Sequence, residues 1–168
     1  MAIISSLEKN QISETVKEIY EGFETNGKQV PEWVKVMAHC PKILKEFFEL
    51  FQVVMGEGKV DKIMKWKIAY TVSETLKCPF CVDVTSKMLK KMGATDKEIE
   101  EIGNISDREK EILEIVKEVT LKANICKQEL FEKIKNDFSE AEIVEIVSII
   151  GLFNYINRFN NTFCILPE

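Results

Sequence analysis

Asp61-Lys62-Ile63-Met64-Lys65-Trp66-Lys67-Ile68-Ala69-Tyr70-Thr71-Val72-Ser73-Glu74-Thr75-Leu76-Lys77-Cys78-Pro79-Phe80-Cys81-Val82-Asp83 decides the fold, because it reads as one helix running straight into a pair of cysteines. Ile63, Met64, Ile68, Ala69, Val72 and Leu76 recur at the period of a helix with a buried face, and Asp61 is a good residue to open it. Pro79 marks the next start. The residue before a proline is pushed out of the α region, so Cys78 is expected just outside a second helix, as its N-cap, with Pro79 at the first helical position. Unpaired N–H groups and the positive end of the helix dipole then face the Cys78 sulfur and favour thiolate over thiol. Cys81 follows within the same turn, so the two residues can cycle between dithiol and disulfide. A helix-to-helix junction is expected to leave them accessible.

Other readings of the cysteines stand beside this one. Free cysteine is among the most buried residue types, and two can meet in a core without chemistry. A closed zinc site needs four ligands, whereas the chain has a single histidine, His39, and no second Cys-x-x-Cys; Cys40, Cys126 and Cys164 are scattered. No metal and no cofactor are therefore expected. Glutaredoxins share a Cys-Pro-aromatic-Cys turn but need a strand running into its first cysteine, and the residues before Cys78 read as helix.

Outward from the dithiol the chain keeps a helical period and shows almost no strand signal, which predicts an all-α fold in one domain over residues 1–168. Ile12, Val16, Ile19 and Phe23 share a face that Asn26-Gly27 should end, Pro31 and Pro41 look like helix starts, and Gly56-Glu57-Gly58 should stop the helix after Pro41. Thr95 with Glu98, Ser106 with Glu109, and Ser139 with Glu142 have capping-box spacing. Residues 143–159 are apolar on nearly every face, so that helix either runs through the centre or is covered by another subunit. The net charge of −5, with lysines interleaved among acids, offers no basic stripe for nucleic acid. No apolar run is long enough to span a membrane, and the N-terminus lacks the pattern of a signal peptide, so a cytoplasmic protein is expected. An odd number of cysteines without a framework agrees with a reducing compartment.

With the helices placed, the chain resembles the AhpD-like alkylhydroperoxidase family, which belongs in one superfamily with the carboxymuconolactone decarboxylases. Val60-Asp61-Lys62 through Val72-Ser73, followed by Cys78-Pro79-Phe80-Cys81-Val82-Asp83, looks like the family's helix and cysteine signature. Ser106-Asp107-Arg108-Glu109 looks like the start of its next long helix. Phe138-Ser139-Glu140-Ala141-Glu142-Ile143-Val144-Glu145-Ile146-Val147 and Phe153-Asn154-Tyr155-Ile156-Asn157-Arg158-Phe159 resemble the peroxidase-related branch, as do Val30-Pro31 and Ala38-His39-Cys40-Pro41. The resemblance implies an all-helical fold, a homo-oligomer (trimer, hexamer or dimer), and a cysteine pair that reduces peroxides with electrons from a dithiol donor. It also makes Cys81 the peroxide-reactive thiol and Cys78 the one that exchanges with the donor, whereas the N-cap reading favours Cys78 as nucleophile.

The resemblance stops at the proton relay. The family's histidine four residues after the second cysteine is Thr85 here, and its upstream glutamate is Trp66. Glu74, one turn before Cys78, is the candidate substitute carboxylate, and Thr85 can hydrogen-bond a sulfur one turn away but cannot act as a base near neutral pH. Asp83, two residues from Cys81, should point elsewhere. The expected function is a thiol-disulfide oxidoreductase acting on a peroxide or disulfide, with an impaired relay. The alternatives are redox sensing and a non-enzymatic oligomeric scaffold; lactone chemistry is weakest, because no histidine follows the cysteines.

Overall fold

The computed structural model describes residues 2–102, 106–122 and 128–167, and these fold into helices with no strand among them. The helices are α1 (Glu14–Thr25), α2 (Glu32–Met37), α3 (Pro41–Met55), α4 (Lys62–Thr75), α5 (Pro79–Lys91), α6 (Asp96–Glu100), α7 (Asp107–Lys122), α8 (Gln128–Ile134) and α9 (Glu140–Thr162). The punctuation expected from Gly and Pro is present: α1 closes on Asn26 and Gly27, α3 starts on Pro41 and stops at Gly56, and α5 ends at Gly93. Asp61 caps α4 by accepting the Met64 N–H at 2.9 Å. Thr95 and Ser139 form complete capping boxes with Glu98 and Glu142. Ser106 forms half of one. It accepts the Glu109 N–H, but the Glu109 carboxylate turns to Lys67, both oxygens at 2.9 Å, because a shielded ion pair is worth more to a buried carboxylate than a second cap bond.

The centre of the domain is α4, which packs against α5, α7 and α9. It is buried on most sides, through Trp66, Ile68, Ala69 and Val72 and also Lys65, Thr71 and Ser73. Thr71 and Ser73 return their hydroxyls to carbonyls one turn back, at 2.9 and 2.8 Å, so neither is left unpaired in the core. Helix α9 is not surrounded. Ile146, Ile149, Ile150, Phe153, Ile156, Asn157 and Asn160 form its buried stripe, while Val144, Val147 and Tyr155 face outward. Of the two expectations for this helix, full enclosure within the subunit is thus excluded.

Lys65 holds the α3–α4 corner to α9. Its ammonium donates to the carbonyls of Val54 and Gly56, both at 2.8 Å, and pairs with Glu145, which also accepts the N–H groups of Lys59 and Val60 at 2.7 and 3.0 Å. Burial alone would raise the Glu145 carboxyl, but the bonds from Lys65, Val60 and Lys59 outweigh it and hold the group below the ordinary carboxylate range. A depressed carboxylate contributes stability that is present above its unfolded value and is lost as pH falls through its folded one. Glu145→Gln is therefore expected to cost about 3 kcal/mol near neutrality, the low end for stranding a buried charge. It should also flatten the decline of Tm between pH 6 and pH 3, and thermal unfolding of the two proteins across that range checks both.

Candidate active site

Helix α4 ends in a left-handed residue, Lys77, at φ 52°. The Lys77 N–H donates to the Glu74 carbonyl at 3.1 Å and the Cys78 N–H reaches back to Ser73 at 3.1 Å, the two bonds of a Schellman ending. Cys78 is thus the last residue of one motif and the N-cap of the next helix, extended at φ −95° and ψ 104°, with Pro79 at the first helical position. This double duty fixes its backbone from both sides.

The Cys78 and Cys81 sulfurs lie 2.9 Å apart and share a hydrogen bond. That contact is the main reason the Cys78 thiol is held below its ordinary value; burial opposes it, and the backbone amides of Cys81 and Phe80 at the start of α5 add to it. The same bond, burial and the charge on Cys78 push the Cys81 thiol up, with a hydrogen bond from Asn160 pulling the other way. Of the two thiols, Cys78 is therefore the one that ionises more readily. Asn160, on α9, donates its amide to the Cys81 sulfur at 3.2 Å. One turn earlier Asn157 donates to the Phe153 carbonyl and the Ser73 hydroxyl, at 2.7 and 3.3 Å.

The expected accessibility is not found. Cys78 is 0% and Cys81 4% exposed. They form a small buried cluster with Val36, Phe80 and Ile165, against which Ala2, Trp33, Phe159 and Phe163 pack. The cover comes from residues near both termini: the Ile3 N–H donates to the Phe163 carbonyl at 2.9 Å, and Ile165 belongs to the same buried cluster as the sulfurs. Junctions are open only when nothing distant in sequence folds back on them, which local patterns do not record.

The cover is itself a Schellman ending, that of α9. The Cys164 N–H bonds to Asn161 at 3.3 Å and the Ile165 N–H to Asn160 at 2.9 Å, with Cys164 at φ 54°. Helices α1 and α5 end the same way but with Gly27 and Gly93 in the left-handed position, at φ 64° and 96°. The two endings at the dithiol use Lys77 and Cys164 instead, and a side chain in that region costs roughly 1–2 kcal/mol. The Asn161 amide joins them by donating to the Leu76 carbonyl at 3.1 Å.

Of the other sequence candidates, Glu74 does not face the sulfurs. The helix breaks at Lys77 between them, so four-residue spacing no longer places Glu74 and Cys78 on one face. Glu74 is exposed beside Tyr70 instead, whose hydroxyl is pushed up in pKa first by burial and then by the Glu74 charge and hydrogen bond. Thr85 is buried below Cys81 but donates to the Cys81 carbonyl at 2.7 Å rather than to sulfur, the usual preference of a mid-helix threonine. Trp66 sits in the aromatic core, with ring centroids 6.2 Å from Phe153 and 6.5 Å from Phe51. Asp83 pairs with Lys87 at 2.6 Å, on the outside of α5. His39 contacts the Ser5 carbonyl at 2.8 Å, Cys40 and Cys164 are exposed, and Cys126 lies outside the described residues.

Among the described residues, no group of three or more His, Cys, Asp or Glu side chains is placed to hold a metal, and no helix is long and apolar enough to cross a membrane. Sequence reasoning missed Asn160. The signal was there: Asn157 and Asn160 are two amides at i, i+3 on an otherwise apolar stripe, and polar groups in such places are there to bond something.

The sequence pattern of the carboxymuconolactone decarboxylase family matches residues 41–107, which contain α3 to α6 and both sulfurs of the pair. A peroxidase-related protein with an alkylhydroperoxidase AhpD core, from Ralstonia eutropha, superposes with a TM-score of 0.84 over 99% of this chain and 92% of its own, at 19% identity. The fold of the chain is AhpD-like, and its central segment carries the carboxymuconolactone decarboxylase pattern. A Bacillus subtilis protein, YdfG, of no assigned function, is 26% identical over 77% of this chain and 86% of its own length. Debrominase Bmp8, solved as a variant in complex with 2,3,4-tribromopyrrole, has the same AhpD-like fold, with a TM-score of 0.83 over 99% of this chain and 91% of its own at 19% identity. The AhpD-like fold therefore carries more than one chemistry, and the fold alone does not assign that of this chain.

Proposed function

We propose that this AhpD-like protein is a dithiol oxidoreductase in which Cys78 and Cys81 reduce a peroxide or a disulfide and are restored by a dithiol donor. The 2.9 Å sulfur pair at the start of α5 carries the reading. With a hydroperoxide, the Cys78 thiolate attacks the outer oxygen, the O–O bond breaks, and the departing alkoxide takes the Cys81 proton. Cys81, now a thiolate, attacks the sulfenic acid on Cys78, closes the disulfide and releases hydroxide, which solvent protonates. Cys81 supplies the proton that Thr85 and Trp66 do not. With a disulfide substrate the first attack gives a mixed disulfide and a free thiolate, which accepts the same proton, so no separate base is needed. General acid–base help is worth about 10² to 10⁴ in rate, and a thiol is a weaker substitute for the family's histidine, so exchange with disulfides should outpace peroxide turnover.

Burial of both sulfurs supports a second reading, redox sensing, in which the slow step is exposure of the pair. One measurement serves both readings. After mild treatment with hydrogen peroxide or oxidised glutathione, peptide mass spectrometry should find a single bridge between Cys78 and Cys81; preferential oxidation of another cysteine, or none of the pair, would remove the proposal. Continuous turnover with dithiothreitol selects the enzyme, and a single oxidation without turnover selects the sensor.

The open face of α9 fits a second copy of the chain. Together with α3 it forms an apolar groove of about 490 Å³ lined by Ile43, Phe47, Leu50, Leu152 and Tyr155, with Lys42 and Glu46 alongside. Light scattering should give a multiple of 19.4 kDa, and Leu50→Glu should return the protein to that mass. A wild-type monomer at micromolar concentration would exclude the assembly.

A further inference from the structure

We propose that Asn160 is a catalytic hydrogen-bond donor that bears the charge of Cys81 whenever that sulfur is a thiolate, and so takes over part of the task of the absent relay. The inference rests on the dithiol reading above and adds a residue from α9 to it. Asn160 is 0% exposed, and its amide nitrogen lies 3.2 Å from the Cys81 sulfur, while its carbonyl oxygen has no partner among the described residues. A buried amide left half unsatisfied is costly unless its satisfied half matters. Of the contacts that act on the Cys81 thiol, the bond from Asn160 is the one that favours its charged form.

That thiolate forms when the bridge is reduced. A donor thiolate attacks the Cys78 sulfur of the disulfide, the bond between Cys78 and Cys81 breaks, and Cys81 leaves with the electron pair. The donor's second thiol gives its proton to Cys81 and attacks the mixed disulfide, releasing Cys78 as thiolate and the donor as its own disulfide. Charge therefore rests on Cys81 between the two attacks, and the Asn160 N–H is already aimed at it. A hydrogen bond to a charged group is stronger than one to a neutral sulfur, so the contact favours the intermediate over the disulfide before it.

Asn160→Asp keeps the shape and replaces the donor by an acceptor, and Asn160→Leu keeps the bulk without polarity. Each is expected to slow reduction of the preformed bridge by dithiothreitol about tenfold or more, as for loss of a bond to a charged group. Placed in a Cys78→Ala background, each should also raise the pH at which Cys81 is alkylated by iodoacetamide by about one unit. A packing defect alone would not move that pH profile in the same direction for both. If the profile stays within about 0.3 units and the reduction rate within about twofold for the Asp variant, whose fold is the safer of the two, the proposal is overturned. Failure of the wild-type bridge to form would instead sink the dithiol reading, and the alkylation profile of Cys81 would still decide the role of Asn160.

Discussion

Cys78→Ser is expected to leave a protein whose remaining thiol at position 81 reacts with a disulfide reagent at pH 7 about tenfold more slowly than Cys78 does in Cys81→Ser, since one unit of pKa removes tenfold of the thiolate. The expectation follows from what survives both substitutions: burial still raises Cys81, while the backbone amides of residues 80 and 81 still lower Cys78. In Cys81→Ser the nucleophile survives, but it loses the thiol that resolved its adducts, so a long-lived mixed disulfide at Cys78 should accumulate. Both variants lie under the same cover, which cancels from the comparison. The site of reaction is read by peptide mass spectrometry, since Cys40 and Cys164 are exposed and will react as well. The reverse order, a reactive Cys81 and an inert Cys78, would assign the attack as the family resemblance does and would mean that the N-terminal amides of α5 do not control the chemistry.

Much of this was legible in the chain because it depended on neighbours. Pro79 dictated where α5 begins, the spacing of Ile68, Val72 and Leu76 dictated the helix before it, and the boxes at Thr95 and Ser139 dictated two more starts. Local rules failed where the backbone did something that its residue does not advertise. Glycine announces a left-handed ending at Gly27 and Gly93, but Lys77 and Cys164 take the same conformation unannounced. Missing the turn at Lys77 is what put Glu74 on the face of Cys78. The cover and Asn160 lie beyond local rules for another reason: they approach the sulfurs from residues about eighty positions away, as the bond of Asn160 to Cys81 shows.

The non-glycine endings also say how the buried pair is reached. Strained backbone persists where the surrounding structure holds it, and it concentrates at sites that move or react. Here both strained residues flank the dithiol cluster: Lys77 immediately precedes Cys78, and Cys164 immediately precedes Ile165, which is buried in the same cluster as the sulfurs. Displacing residues 163–165 would relax Cys164 and open the pair, at the loss of the Ile165 N–H bond to Asn160 and of the Ile165 packing. The opening free energy is thus the packing of a few side chains less the strain relieved. Ile165→Ala removes most of that packing, and large-to-small changes at such sites are worth about 2–5 kcal/mol. Alkylation of Cys78 by a small reagent, if limited by opening, should then accelerate by about a hundredfold. Cys164→Gly acts in the opposite sense, because glycine adopts the left-handed ending without a steric penalty; closing should be favoured by about 1 kcal/mol and alkylation slowed about fivefold. Two substitutions side by side with opposite effects on a sulfur that neither one chemically alters would establish residues 163–165 as the gate. Equal rates in wild type, Ile165→Ala and Cys164→Gly would show that reagents reach the dithiol by another route.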